Sequence, residues 1–193
     1  FSGGYNYYFD RFRDDCYYLL LNNDTIVTKN LLKNFILGPN QFGQRNIYGS
    51  TINYENNREL IWYGGGEVEL SSGIIRHLNI RQNINDVILK DSPTGYISGC
   101  CMFLHSSIIH ELNGFDEKFR MYMEDVDFCL RAELKGIKSY YLVSPKLFHH
   151  VSGSVKFKLF KIMSSYIKLS YKHLGILGYL SFPLFLLRKL FHK

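Results

Sequence analysis

Five consecutive aromatic and aliphatic residues, Tyr17-Tyr18-Leu19-Leu20-Leu21, stop abruptly at the polar tetrapeptide Asn22-Asn23-Asp24-Thr25. A continuous apolar run of this length predicts a strand buried on both faces. Thr28 is then placed to cap a helix carrying Leu31, Leu32, Phe35 and Ile36, with Gly38-Pro39 as its stop. A strand, a polar turn at its carboxyl end and a helix form the unit of an open α/β sheet. In such sheets ligands bind at that edge.

The rest of the body fits the same class. Gly3-Gly4-Tyr5-Asn6 opens a helical stretch to Arg13, and Ile47–Ile52 and Leu60–Tyr63 predict short strands, the second broken by Gly64-Gly65-Gly66. Residues 67–95 are polar and weakly periodic, which predicts a long functional loop with short elements. Tyr96–Leu104 predicts a strand with Gly99 at its centre, where another backbone or a ligand approaches closely. A helix over Ser106–Leu112 ends at Asn113-Gly114, a turn-rich connector covers Phe115–Phe119, and a helix covers Glu124–Leu134 with an Asp127/Arg131 pair at i,i+4. Ser139–Val143 and Lys146–Phe148 predict a last strand region closing at His149-His150, beside the turn Ser152-Gly153-Ser154. With 46% hydrophobic and 21% charged residues the chain is globular. Its four cysteines include no C-x-x-C pair, so they read as small buried hydrophobes in a reducing compartment, not as zinc ligands.

Three polar clusters each allow two readings. Asn22-Asn23-Asp24 is either a turn made by local side-chain bonds or an oxygen-ligand site for Mg²⁺ or Mn²⁺ on a diphosphate. Glu124-Asp125-Val126-Asp127 either complements a helix macrodipole or includes a general base, because Asp125 shares a face with Phe128, Cys129 and Ala132 and apolar neighbours raise a carboxyl pKa. His149-His150 is either structural or ligating.

Charge is divided sharply. All 17 acidic residues lie at or before Glu133 with 12 Lys and Arg, net −5; residues 134–193 carry 11 Lys and Arg and no acid, net +11. From Val155 on, Lys158, Lys161, Lys168 and Lys172 share one helical face, opposite Leu159, Phe160, Ile162, Met163, Tyr166, Ile167 and Tyr171. Such a helix either lies on an anionic membrane surface or docks on the body with a solvated Lys face. Leu174–Leu187 is almost wholly apolar but shorter than the roughly 20 residues a spanning helix needs, which favours a re-entrant or in-plane anchor. Nucleic acid is not expected as a partner, since the lysines alternate with aliphatic residues and the body is acidic.

The order of these motifs resembles one family. Gly-Gly-x-Asn, the apolar strand with Asn-Asn-Asp-Thr, Ile-Trp-Tyr-Gly-Gly-Gly, Ser-Gly-Cys-Cys-Met-Phe-Leu, Gly-Phe-Asp-Glu-Lys-Phe, Glu-Asp-Val-Asp-Phe-Cys-Leu-Arg and His-His are similar in sequence and spacing to the rhamnosyltransferase-like branch of family 2 glycosyltransferases, over residues 1 to about 154. The resemblance implies the GT-A fold, a Rossmann-like α/β/α sandwich present in part, with residues 155–193 as a basic amphipathic tail. It implies an inverting transfer from a nucleotide-diphosphate sugar to a saccharide or lipid-linked acceptor hydroxyl, in bacterial cell-surface polysaccharide synthesis. The expected setting is cytoplasmic, peripheral to the inner face of the cell membrane. Asp24, in the variant DXD position with Asn22 and Asn23, would bind the divalent ion carrying the donor diphosphate. Asp125 would be the base, Glu124 would orient it or the acceptor, and His149 or His150 would complete the metal-diphosphate site. Gly3, Gly4 and Asn6 match a segment bordering the donor pocket, and Trp62 with Gly64–Gly66 falls near the acceptor. Family members begin with a further nucleotide-binding strand-turn-helix unit, so the chain is expected to start inside that domain. A catalytically inactive binding or assembly module of the same fold at a membrane is the alternative function.

Overall fold

The computed structural model describes residues 2–12, 15–151 and 155–191, with only the backbone of residues 155–158, 190 and 191. The turn at Ser152–Ser154 and the side chain of Lys158 lie outside the described residues. A mixed sheet forms the centre, in the order β1 (Tyr17–Leu21), β8 (Cys101–His105), β3 (Asn46–Tyr54), β9 (Lys138–His149), β2 (Thr25–Val27). Strand β4 (Ile61–Tyr63) also pairs with β3, and β7 (Ser92–Thr94) with β9. Strands β3 and β9 are parallel; β1 and β3 run antiparallel to β8.

Helices cover both faces. Helix α2 (Leu31–Phe42) presses Gly38 against Tyr48 and Leu142, where an added Cβ would come within 2.8 Å of both. The next residue of β3, Gly49, meets Ile97 instead. Successive strand residues point to opposite faces, so Ile97 lies on the far side from α2. The Ile97 amide donates to Cys129 Sγ, which places α4 (Glu124–Glu133) on that side too. Helix α1 (Ser2–Arg11) packs Phe9 against Tyr18, and α3 (Ser106–Leu112) ends at Asn113 in the left-handed conformation, as its Asn-Gly stop predicts.

Several elements depart from expectation, for identifiable reasons. Strand β1 is buried on alternate residues only, Tyr18 and Leu20, because it ends the strand order. Thr28 does not cap α2; its hydroxyl donates to Lys146 O (2.7 Å), and Asn30 takes the cap position. Helix α2 continues through Gly38-Pro39 to Phe42, because the close packing of Gly38 on the sheet outweighs the hydrogen bond Pro39 cannot donate. Residues 96–100 are not strand: Ser98 accepts from Cys100 and Cys101, folding them into a turn. The last strand region is one strand, in which Val143-Ser144-Pro145 bulges out as the β3 register passes from Leu142 to Lys146. Residues 66–77 form a hairpin, β5 (Gly66–Glu69) and β6 (Ile74–His77), around a 3-10 turn at Leu70–Ser72.

The tail is a helical hairpin, α5 (Val155–Leu174) and α6 (Gly178–Phe191), docked on the body. Tyr166 stacks on Phe185 at 3.8 Å and its hydroxyl reaches Ser181 Oγ and Leu70 O. Gly73, at φ 67°, admits the α6 backbone so closely that a Cβ would lie 2.5 Å from Phe185 N. The lysine face stays exposed at Lys161, Lys168 and Lys172 while its tips reach the body: Lys172 Nζ is 2.6 Å from Asp116 and 2.7 Å from Asp127, and Lys168 reaches Lys118 O. Asp127 is fully buried and also bonds His173 Nε2 (2.9 Å) and Arg131 Nε (2.8 Å). No helix among the described residues is long and apolar enough to cross a membrane.

Burial alone would raise the Asp127 pKa, but His173, Lys172 and Arg131 outweigh it and hold the carboxyl down at about 2. A depressed folded-state pKa contributes stability that is present above about pH 4 and lost as pH falls towards 2, here about 2 kcal/mol. Thermal melts between pH 7 and 2 should therefore show a steeper Tm decrease below pH 4 than those of Asp127→Asn, whose Tm is already lower at pH 7.

Candidate active site

Strands β1, β3 and β9 all run towards one edge of the sheet, and β8 starts there. Asp24 follows β1 at that edge and His149 ends β9. Pairing of Thr25 with His149 sets them side by side, with His149 Nε2 3.3 Å from Asp24 Oδ1 and the His150 amide donating to Asp24 O. The His150 side chain turns away to Glu55 (3.2 Å). Of the two histidines, His149 is thus the one that faces Asp24. Asn22 donates its amide to Cys100 O and accepts the Thr25 hydroxyl, and Asn23 is exposed at the turn.

The second carboxylate pair reaches the same edge from another element. Asp125, in the first turn of α4, accepts the Gly99 amide at 2.8 Å and its neighbour Val126's amide at 2.9 Å. The dipeptide Gly99-Cys100 therefore carries Asp125 on one residue and the Asp24 turn on the next. Cys100 senses both: burial first, then Cys101, Asp24 and Asp125, holds its thiol far above the ordinary value. Desolvation raises Asp125, against the hydrogen bonds that favour its ionised form. Glu124 is raised to about 7 by burial and by the Asp125 charge.

Glu124 Oε2 is buried without a hydrogen-bond partner among the described residues, and Asp24 Oδ1 is buried with no hydrogen bond beyond the 3.3 Å approach of His149 Nε2. Native proteins rarely leave such atoms unmatched away from functional sites. Asp24 offers a carboxylate oxygen of the kind that suits Mg²⁺ or Mn²⁺, and His149 an imidazole nitrogen, which a transition ion such as Mn²⁺ accepts more readily than Mg²⁺. No group of three or more His, Cys, Asp and Glu is gathered for a metal among the described residues. Two protein ligands fit an ion whose other positions are filled by phosphate oxygens and water, which is how Mg²⁺ is commonly held.

Trp62 stands beside this pair, its ring 4.4 Å from His149 and 4.5 Å from His77. His77 Nδ1 lies 3.0 Å from Trp62 O, and burial, followed by the Lys189 and His149 charges, takes its pKa down to about 4, so the ring is neutral at pH 7. The amino-terminal motif lies on α1. Asn6 donates to Phe115 O and Glu117 Oε1 and accepts from the Phe115 amide, clamping α1 to the connector. Its amide is thus committed to the fold. Gly3 lies against Glu117, whereas Gly4 lines an open groove of about 560 Å³ with Tyr5, Tyr8 and Tyr18. From this helix it is Tyr5 that reaches the edge, donating to Leu21 O at 3.0 Å. Tyr5, His77 and the Gly99 amide are absent from the set of residues the sequence singles out for chemistry; only the glycine in Ser98-Gly99-Cys100 carried a signal.

Residues 17–192 match the family described as Glycosyl transferase family group 2. The chain belongs to that family. Two of the relatives it matches are named as rhamnosyltransferases. It is 38% identical over 65 residues to an N-acetylglucosaminyl-diphospho-decaprenol L-rhamnosyltransferase of Mycobacterium tuberculosis, covering 34% of this chain and 21% of that protein. It is 27% identical over 88 residues to Rhamnosyltransferase WbbL of Escherichia coli, covering 46% of this chain and 33% of that one. The matches thus span a fifth to a third of these relatives' lengths. Among solved structures it is similar to GalNAc-T7, determined with UDP, GalNAc and Mn²⁺, at a TM-score of 0.62 and 12% identity over 87% of this chain and 34% of that one. The fold is of the GT-A type, as the sequence implies.

A like charge beside Glu124 is a removable cause of its raised pKa. In Asp125→Asn, the Glu124 carboxyl followed by ¹³C NMR should titrate below the wild-type midpoint near 7, the remaining elevation being that of burial. An unchanged midpoint would show that the two carboxylates do not interact.

Proposed function

We propose that this chain carries the carboxylate machinery of an inverting glycosyltransferase that moves a sugar, rhamnose being the branch's example, from a nucleotide-diphosphate donor to an acceptor hydroxyl in cell-surface polysaccharide synthesis. The supporting observation is the convergence on one sheet edge of carboxylates from distant segments, Asp24 facing His149 and Glu124, whose Oε2 is buried without a hydrogen bond, beside the anchored Asp125. Asp24 and His149 are the residues that would hold a divalent ion, with Asn22 and Asn23 at the rim of the same turn. When bound, that ion supplies Lewis-acid stabilisation of the charge on the departing diphosphate.

Asp125 acts on the other side of the sugar. As the acceptor oxygen bonds to the anomeric carbon, the bond from that carbon to the phosphate oxygen breaks, and the acceptor proton passes to Asp125. The Gly99 and Val126 amides keep the Asp125 carboxylate aimed and favour its ionised form, while burial raises its basicity. Glu124, with its raised pKa, orients the acceptor or the base. Trp62, braced by His77, supplies an apolar face next to His149 on which a sugar ring can rest.

Turnover measured as nucleoside diphosphate release should be abolished in Asp125→Asn with donor binding retained. Asp24→Ala and His149→Ala should weaken donor binding in the presence of Mn²⁺, whereas His150→Ala should leave it unchanged. Full turnover in Asp125→Asn would remove the base assignment.

The acceptor is proposed to be lipid-linked, in keeping with the decaprenol-linked acceptor in the name of the mycobacterial relative. Membrane contact then falls to the outer edge of the tail hairpin, where Ile176, Leu177, Tyr179, Leu180, Leu184 and Leu187 are exposed, and not to the lysine face. Exposed apolar side chains flanked by Arg188 and Lys189 suit the in-plane position of a peripheral protein at the inner face of the cell membrane. Co-flotation with vesicles containing phosphatidylglycerol should be lost in Leu177→Asp/Leu180→Asp; undiminished flotation would remove this contact.

A further inference from the structure

The basic tail and the proposed base meet through one buried carboxylate. Residues two apart on a helix lie roughly 200° apart around its axis, so Asp127 projects from the side of α4 opposite Asp125. Its Oδ2 is taken by Arg131 of the same helix, which also donates to Leu112 O and Gly114 O and so ties α4 to α3. Its Oδ1 is taken from outside, by Lys172 and His173 at the end of α5.

The same face of α5 also fastens the connector that enters α4. Lys172 bonds Asp116, Lys168 reaches Lys118 O, and Ser165 donates to Met121 O at 2.9 Å. That connector ends in two successive residues with side chains in the left-handed region, Tyr122 at φ 69° and Met123 at φ 70°. Such residues persist only where their surroundings over-determine them. Glu124 and Asp125 follow immediately.

We infer that Lys172 and His173 are positioning residues for the Glu124–Asp125 pair: by closing the charge cluster on Asp127 and Asp116, the tail hairpin fixes the strained entry into α4 and the rotation of its first turn, and so keeps Asp125 on the Gly99 amide. The inference rests on the proposed role of Asp125 and extends it to a segment more than forty residues away in sequence. It also gives the contact of Lys172 with the body a function distinct from stability. Loss of a few tenths of an ångström at Asp125 is felt in the chemical step rather than in donor binding, which belongs to Asp24 in the β1–β2 turn and His149 at the end of β9.

The full chain serves for the test, with Lys172→Met/His173→Gln, Lys172→Arg, and Tyr166→Phe, which loosens the hairpin at Leu70 and Ser181 without touching α4. In the double variant kcat should fall about tenfold or more with donor KM unchanged, and Gly99 amide exchange measured by NMR should accelerate at least about tenfold while that of Leu104 in β8 does not. Lys172→Arg, which keeps a cation between the two aspartates, should restore most of both. Tyr166→Phe should lower Tm yet leave kcat and the Gly99 exchange rate at wild-type values. Wild-type Gly99 exchange in the double variant, or equal effects in Tyr166→Phe, would overturn the positioning role. Should the wild-type chain release no nucleoside diphosphate from any donor, the proposed function fails, while amide exchange still decides the geometry on its own.

Discussion

A carboxylate withdrawn from water stays ionised at little cost only where cations or donors match it, and Asp127 is matched three times over, by Arg131, Lys172 and His173. These partners come from α4 itself and from the end of α5, and through Arg131 the cluster extends to the carbonyls that close α3. The cluster thus joins three helices behind the sheet edge where Asp24, His149 and Asp125 collect. Removing any one cation would leave a buried charge under-compensated, which is costlier than losing a surface ion pair. The arrangement explains why a tail with no acidic residue of its own is compatible with a net-negative body: part of its positive charge answers aspartates within the same chain.

The sheet contributes the other half of the geometry. Parallel β3 and β9, with β1 running the same way across antiparallel β8, deliver three carboxyl ends to one edge. Residues separated by over a hundred positions, such as Asp24 and His149, become neighbours by strand pairing alone. The turn at Ser98–Cys100 then breaks the ladder just before β8, freeing the Gly99 amide to face α4. A regular strand through Gly99 would have used that amide in the sheet.

Much of this was legible in the sequence where a local rule and the tertiary structure agree. The Tyr17–Leu21 strand, the Asn113-Gly114 helix stop, the Asp127/Arg131 pair and the start of α4 all follow from period, capping and spacing. Legibility failed where packing overrode local preference. Gly38-Pro39 reads as a stop, yet the helix passes through because Gly38 is needed for contact with Tyr48 and Leu142. The lysine stripe of α5 reads correctly as one face, but no wheel indicates which way that face turns; its direction is set by Asp116 and Asp127, far away in sequence. Likewise His149 and His150 are indistinguishable as adjacent letters, and only alternation along β9 sends one ring to Asp24 and the other to Glu55. Asn6 carries a motif position, but its partners at Phe115 and Glu117 could not be inferred from its neighbours.

The chain holds a single tryptophan, and it lies edge-on to two imidazoles. A protonated or cation-bound imidazole at van der Waals distance alters indole emission, and His77 is kept neutral by its surroundings at ordinary pH. Trp62 is therefore a built-in optical gauge of the state of His149, readable in the unlabelled protein without any assay of turnover.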